Sequence, residues 1–296
     1  MGPRPGQARR HAQSILMSPR EAHLAKRLIV NADDFGASVA VNAGVERACR
    51  EGVVTSTSLM AGGAGFEDAV ARLDELPQLG VGVHLTLAVG RAVLTPEAAP
   101  TLVGPEGALP RNAAAFARRF LTGGISLADV RAELDAQIAK VFAAGVRVTH
   151  LDGHQHLHNF PGVAPVVIEL ADRFGVRAVR FCRCRLWPPG RRWLARQLAL
   201  RLCAEAFGRI ARRAGLKMTD GLEGQEWAGA LTAEKVVAVI RRLGPGTREM
   251  LCHPAAANEP HADGFDRSAE LAAVTAPAVR AAVEEAGVRL VNYAAL

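Results

Sequence analysis

The chain has 296 residues, 49% of them hydrophobic, with 36 Lys/Arg against 29 Asp/Glu and a net charge of +7. Hydrophobicity this high excludes a disordered chain, the five Cys are too sparse and odd in number for a disulfide-stapled domain, and no run of about 18 apolar residues provides a spanning helix. Such a length forms one large domain or two ordinary ones and can bury roughly 75% of its unfolded surface.

The charge is uneven. Residues 1–27 carry six Lys/Arg and one acidic residue, and residues 183–217 carry ten Lys/Arg and one acidic residue, so the rest is mildly acidic. Arg9-Arg10 is not followed by an apolar stretch, so no secretory or twin-arginine signal is expected. Residues 1–26 read as a disordered basic leader, with Met17 as an alternative start. A chain without a signal is expected in the cytoplasm, its Cys reduced; Cys182 and Cys184 lack a second thiol pair at metal-site spacing and read as structural.

From Arg27 the chain alternates strands and helices. RLIVNADD (27–34) predicts a buried strand, 38–50 a helix ended by Gly52, and VVTSTSLM (53–60) a second strand. A helix is expected over 66–76 and a strand over LGVGVHLTL (79–87). Residues 88–125, with several Pro and Gly, read as an insertion or long loop. A helix over 127–144, with Val130, Leu134, Ile138 and Val141 at helical spacing, leads to a strand at VRVTHLDGH (146–154). Then come a helix at 163–174, a strand at VRAVRF (176–181), a helix at 233–243, a strand at 248–252, a helix at 270–286 and a last strand at 288–292. Such alternation implies parallel βαβ units, and about seven of them imply a barrel or a wide doubly wound sheet in one domain.

Four clusters carry chemistry. Asp33 and Asp34 in NADDFG sit at the C-terminal end of a buried strand, where parallel α/β folds bind ligands. Adjacent carboxylates there call for a cation or a shared proton, although an Asp before a helix also serves as an N-cap. His84 lies in the strand segment GVHLT, where a hydrogen-bonded core imidazole is the plainer reading. HLDGHQHLH places His150, Asp152, His154, His156 and His158 within nine residues at a strand exit; so many buried polar rings need partners, and neutral imidazole is a common metal ligand. His253, before Pro254, stands at the end of the strand over 248–252. Six of the nine His fall in these clusters. A carboxylate and two or three His from separate strand ends, converging on one ion with an open water position, is the layout of a metal-assisted hydrolase.

NADDFG, GVHLTL, THLDGHQHLH and MLCHP, in this order and spacing, resemble the YdjC-like carbohydrate deacetylases. That family includes chitooligosaccharide deacetylase and belongs with the glycoside hydrolase/deacetylase (β/α)-barrel superfamily. The similarity runs from about Arg27 to the C-terminus and takes in VTSTSLM and the segment Arg267-Ser268-Ala269-Glu270-Leu271. Within the family the chain looks most like the hopanoid-biosynthesis-associated branch. The resemblance implies an α/β single-domain distorted barrel over 27–296, a divalent cation (Mg²⁺, with Zn²⁺ the alternative) and removal of acetyl from an N-acetylated sugar or glycolipid. By motif position Asp34, His84 and His154 would hold the metal, Asp33 would be the base and His253 the acid. His150, Asp152, His156 and His158 would lie behind the ligands or face the substrate. Which of Asp33 and Asp34 holds the ion stays open.

The stretch 191–217 carries an apolar line, Leu194, Leu198, Leu202, Ala206 and Ile210, at i, i+4 spacing. It reads either as a helix packed on the barrel with solvated arginines or as an interfacial element touching anionic lipid at the inner membrane. Two rival functions fit parts of the sequence. A nucleic-acid-binding protein fits the basic composition, but the chain has a single Tyr and few aromatics for base stacking, and no helix-turn-helix or finger spacing; no nucleic-acid partner is expected. A phosphoester hydrolase would want more carboxylates than the motifs hold. An oligomer is compatible with all of these readings.

Overall fold

A computed structural model of the protein describes residues 25–184, 191–259 and 264–296, with the backbone alone for 191–197. The basic leader expected over 1–26 lies outside the described residues except for its end, where Lys26 already begins the first strand.

Strand β1 (Lys26–Phe35) is the centre of the sheet, buried from Leu28 onward. Strands β2 (Ser56–Leu59) and β3 (Gly80–Leu85) are buried throughout, and β4 (Val148–Gly153) over its last four residues. Strands β5 (Leu222–Glu223), β6 (Gly246–Cys252) and β7 (Arg289–Leu290) complete seven, in the order β4-β3-β2-β1-β6-β5 with β7 paired to the start of β1. Every pairing is parallel. Strands buried on both faces in this way read as continuous apolar runs. Connecting helices include α1 (Val39–Glu51), whose Ser38 Oγ accepts from the Val41 N–H, α2 (Phe66–Leu73), α3 (Ala113–Leu121), α4 (Leu127–Ala143) and α5 (Ala164–Arg173).

The sheet curls as in a (β/α) barrel, but among the described residues its edges β4 and β5 are joined only by isolated bridges. Leu151 pairs with Val179, Ala178 with Lys217 and Cys184 with Leu222. The expected strand over 176–181 is therefore a bridging segment rather than a ladder. Residues 88–125 are not all loop: α3 starts inside them, with Asn112 Oδ1 accepting from the Ala115 N–H at 2.8 Å. The single helix expected over 270–286 is two, α8 (Arg267–Thr275) and α9 (Pro277–Glu285), after α7 (Ala233–Arg241). Pro277 has no N–H to continue the first, yet suits the opening turn of the second.

Within residues 191–217 lies helix α6 (Arg191–Arg213), which precedes α7. Its packed face is not the predicted apolar line. Leu198 and Leu202 are 47% and 62% exposed, while Ala204, Phe207 and Ala211 are buried. Leu194, the first residue of that line, has no described side chain. Among the described residues no helix is long and apolar enough to cross a membrane.

Candidate functional site

Consecutive residues of a regular strand face opposite sides of the sheet. Asp33 and Asp34 do not. The β1–β2 register runs Ala32 to Thr57 and then Phe35 to Leu59, so β1 carries an extra residue against β2. Asp34 takes up the bulge at φ 67°, a left-handed conformation that Asp tolerates better than most residues. Both carboxylates consequently line one cavity of about 890 Å³. His84 from the end of β3, His154 just beyond β4 and His253 just beyond β6 line it too. These five side chains thus lie together at the C-terminal strand ends.

Asp34, His84 and His154 each offer a donor atom, all within 4.8 Å of one another. Asp34 Oδ1 lies 3.0 Å from His154 Nδ1 and 3.4 Å from His84 Nε2. Donors each about 2.1 Å from a shared ion stand roughly 3.0–3.4 Å apart for angles near 90–110°, so the residues fit a divalent cation. His84 Nδ1 is 2.9 Å from Asp152 Oδ1, its register partner on β4. A carboxylate only accepts, so Nδ1 carries the proton and Nε2 is the free ligand nitrogen, the usual support for a metal-bound imidazole. Burial disfavours the His84 imidazolium, but Asp152, Asp34 and Asp33 outweigh it and hold the His84 pKa up at about 10. Cation uptake therefore competes with a proton at His84.

A second group, Asp33, His84 and Asp152, also has donor atoms within 4.8 Å of one another, but its carboxylates already have a counter-ion. Arg180, wholly buried, donates to Asp33 Oδ2 at 2.8 Å and Oδ1 at 2.6 Å, stands 2.7 Å from Asp152 Oδ2, and donates through Nε to Glu249 Oε1 at 2.9 Å. Tyr293 Oη donates to the other Glu249 oxygen at 2.5 Å. By contrast, Asp34 gives only Oδ2 to a guanidinium, Arg267 at 2.7 Å, and leaves Oδ1 facing the two imidazoles. A divalent cation beside Arg180 would meet like charge. The geometry thus favours Asp34 over Asp33 as the carboxylate for an ion. Burial raises the Asp33 pKa, but Arg180 and His84 outweigh it, so Asp33 sits below the usual carboxylate range and is ionised at neutral pH.

His253 Nε2 is 4.0 Å from Asp33 Oδ2. Its Nδ1 is 3.5 Å from Glu270 Oε2, which also accepts from the His253 N–H at 2.6 Å. Burial alone would lower the His253 pKa; Glu270, with Asp34 and Asp33, raises it above its ordinary value. A depressed carboxylate beside an elevated imidazole separates a base from an acid within one cavity.

The other candidates divide. His156 lines the cavity, held in a left-handed turn with Gln155 (φ 59° and 52°). His150, Asp152 and His158 are buried behind it. The His150 ring stacks on Tyr293 at 3.8 Å and fills the space a Cβ on Gly82 would need, and burial lowers its pKa to about 3. It supports the site as a neutral ring. His158 Nε2 is 3.0 Å from Asn159 Nδ2 and 3.3 Å from the Arg180 carbonyl. Arg180, Glu249, Glu270 and Tyr293 were not among the sequence candidates. Arg180 had one legible signal, a cation inside the apolar run VRAVRF, which burial would make costly without carboxylate partners.

A sequence profile of the YdjC-like protein family matches residues 27–285. The chain is 35% identical over 272 residues to a carbohydrate deacetylase of Geobacillus stearothermophilus, covering 90% of this chain and 96% of that one. It is 34% identical over 272 residues to a chitooligosaccharide deacetylase of Enterobacter sp. (strain 638), covering 90% and 98%. Among solved structures, a candidate cellobiose-phosphate cleavage protein of Enterococcus faecalis V583 superposes with a TM-score of 0.72 at 26% identity, over 92% of this chain and 98% of that one.

Proposed function

The chain belongs to the YdjC-like protein family, and from that premise we propose that residues 27–296 form a divalent-metal-dependent hydrolase that removes acetyl from an N-acetylated sugar. The observation that carries the reading is a two-imidazole, one-carboxylate set in the same cavity as a second carboxylate and a third imidazole. The relatives' names, carbohydrate and chitooligosaccharide deacetylase, support the substrate class.

Asp34, His84 and His154 would hold the cation, which polarises the acetyl carbonyl and acidifies water when bound. Asp33, fixed by both arms of the Arg180 guanidinium and by Asn31 Nδ2 at 2.8 Å, takes the proton from the attacking water. His253, kept protonated by Glu270, gives a proton to the departing sugar nitrogen, a poor leaving group until it is protonated. The products are acetate and the amino sugar. Two imidazoles suit Zn²⁺ better than oxygen-seeking Mg²⁺, so metal analysis of the purified protein discriminates between them. The finer reading is a glycolipid substrate, the N-acetylglucosaminyl head group of a hopanoid, with α6 touching an anionic membrane surface. Acetate release from free and lipid-linked N-acetylglucosaminyl substrates tests both levels. Release that stops with chelator and returns with metal is expected; no release from either class overturns the reading, and equal turnover of free sugars removes the finer one.

The acid assignment has its own test. Glu270→Gln removes the carboxylate that holds the His253 proton, so the alkaline limb of the kcat/KM profile should move down by about one pH unit. The acid limb, set by Asp33, should stay. An unmoved alkaline limb would take the proton-donor role away from His253.

A further inference from the structure

Just beyond β3 the chain forms one wall of the catalytic cavity through Thr86, Val89, Gly90 and Arg91. Val89 stands there at φ 64° and Gly90 at φ 86°. Left-handed backbone suits glycine but is an outlier for a β-branched residue. Such strain persists only where the surroundings over-determine it, and it collects at ligand-facing positions. The Val89 side chain is half-buried and belongs to no part of the hydrophobic core, so core packing does not account for a valine at this position.

What holds the wall is a row of polar side chains on α4. Asp129, Glu133, Gln137 and Lys140 follow one another at spacings of four and three, along one face of the helix. Gln137 Oε1 accepts from the Thr86 N–H at 2.8 Å, and its Nε2 donates to the Thr86 carbonyl at 2.7 Å. Glu133 accepts from the Val93 N–H with one oxygen at 2.8 Å and from the Leu94 N–H with the other at 2.9 Å. Gln137 Nε2 also donates to Glu133 Oε1 at 2.8 Å, and both side chains are buried. Asp129 accepts from the Thr101 N–H at 2.7 Å, and Lys140 donates to the Ala61 carbonyl at 2.8 Å. Gly62, which follows Ala61, lines the cavity too, and a Cβ on it would collide with the Arg91 carbonyl. Away from α4, the Val89 N–H donates to the Pro110 carbonyl at 2.8 Å and the Leu109 N–H to the Gly90 carbonyl at 3.1 Å. Burying polar side chains is costly unless they are satisfied, and α4 directs these to the backbone of the cavity wall. We propose that Val89 is a substrate contact, and that Glu133 and Gln137 are positioning residues that keep its strained loop in the shape the bound sugar meets. A wall fixed in advance avoids the cost of ordering it on binding.

The proposal rests on the cavity receiving an N-acetylated sugar, and its test separates contact from support, because glycine relieves the strain while removing the side chain. In Val89→Gly the relief offsets the entropy that glycine adds to the unfolded chain, so Tm should stay within about 2 °C of the wild type. Binding of di-N-acetylchitobiose is measured by titration calorimetry in the metal-loaded Asp33→Asn protein, so that the sugar is not consumed. Val89→Gly should weaken it by about fivefold or more, and in the otherwise wild-type enzyme the loss should appear in KM more than in kcat. Glu133→Gln replaces one acceptor with a donor against the backbone N–H groups and frees one end of the wall. It should weaken binding by a similar factor and add little to Val89→Gly in the double variant, since both act on the same contact. Unchanged affinity in Val89→Gly, losses that multiply in the double variant, or no sugar binding by the Asp33→Asn protein overturns the proposal. Sugar binding with these losses, but no acetate release from the wild type, upholds the wall and overturns the deacetylase reading instead.

Discussion

Asp33→Asn should leave the divalent-metal content of the protein unchanged and lower kcat by about 10²- to 10⁴-fold, the range general-base catalysis supplies. The amide has the size of the carboxylate and can still accept one hydrogen bond from Arg180, so the site keeps its shape. It cannot take a proton from water. Metal retention follows from the division of labour between the adjacent carboxylates: Asp33 spends both oxygens on Arg180, whereas Asp34 turns Oδ1 toward His84 and His154. Asp34→Asn should show the reverse, losing metal first and activity with it. Metal analysis and single-turnover acetate release on the two variants separate the roles. Loss of metal from Asp33→Asn with retention in Asp34→Asn would exchange them, and wild-type turnover in Asp33→Asn would remove the base altogether.

How much of this was legible beforehand depended on whether the signal was local. Apolar runs mark the central strands, and the strand-end motifs contain Asp33, Asp34, His84, His154 and His253, which share one cavity, because in a parallel α/β fold chemistry collects at those ends. The bulge at Asp34 was not legible. Nothing in NADDFG says that two successive side chains will share a face; that comes from a one-residue mismatch between β1 and β2. The Arg180 cluster was hidden for a similar reason, since its carboxylates come from positions 33, 152 and 249 and the topology alone unites them. Over 176–181 the described pairing is one isolated bridge each at Ala178 and Val179, so a run with strand-like composition makes no ladder. On α6 the line through Leu198 and Leu202 satisfied helical spacing, but the helix turns Ala204, Phe207 and Ala211 inward. Small residues let it lie close to the sheet, as Gly208 shows, where a Cβ would come within 2.6 Å of the Phe181 ring. Hydrophobicity alone could not rank those faces.

Arg180→Met should cost about 3–5 kcal/mol of stability, the usual loss when a buried ion pair is broken on one side, and lower Tm by roughly 10 °C. Methionine fills much of the volume, so the loss is electrostatic. Asp33, Asp152 and Glu249 are 3%, 0% and 0% exposed, and without the guanidinium these three buried carboxyl groups keep the His84 imidazole beside Asp152 and Asp33 and the Tyr293 hydroxyl on Glu249. The pH dependence gives the argument its signature. In the wild type, burial pushes Asp33 and Asp152 up but Arg180 outweighs it, leaving both below their ordinary value. Such groups add stability that is present above the unfolded carboxylate range and is lost as pH falls through their depressed folded values. In Arg180→Met the burial remains and the largest compensating charge is gone, so the same groups resist ionisation more than in the wild type. The deficit should then be largest near neutral pH and shrink as pH falls toward about 4, where the carboxyls protonate. Arg180→Lys keeps the charge but not the two-armed contact with Asp33 and should fall between the two. Thermal melts of the three proteins at several pH values provide the measurement. A deficit in Arg180→Met that does not change with pH would mean lost packing, not stranded charge, and would break the link between Arg180 and the ionisation of Asp33.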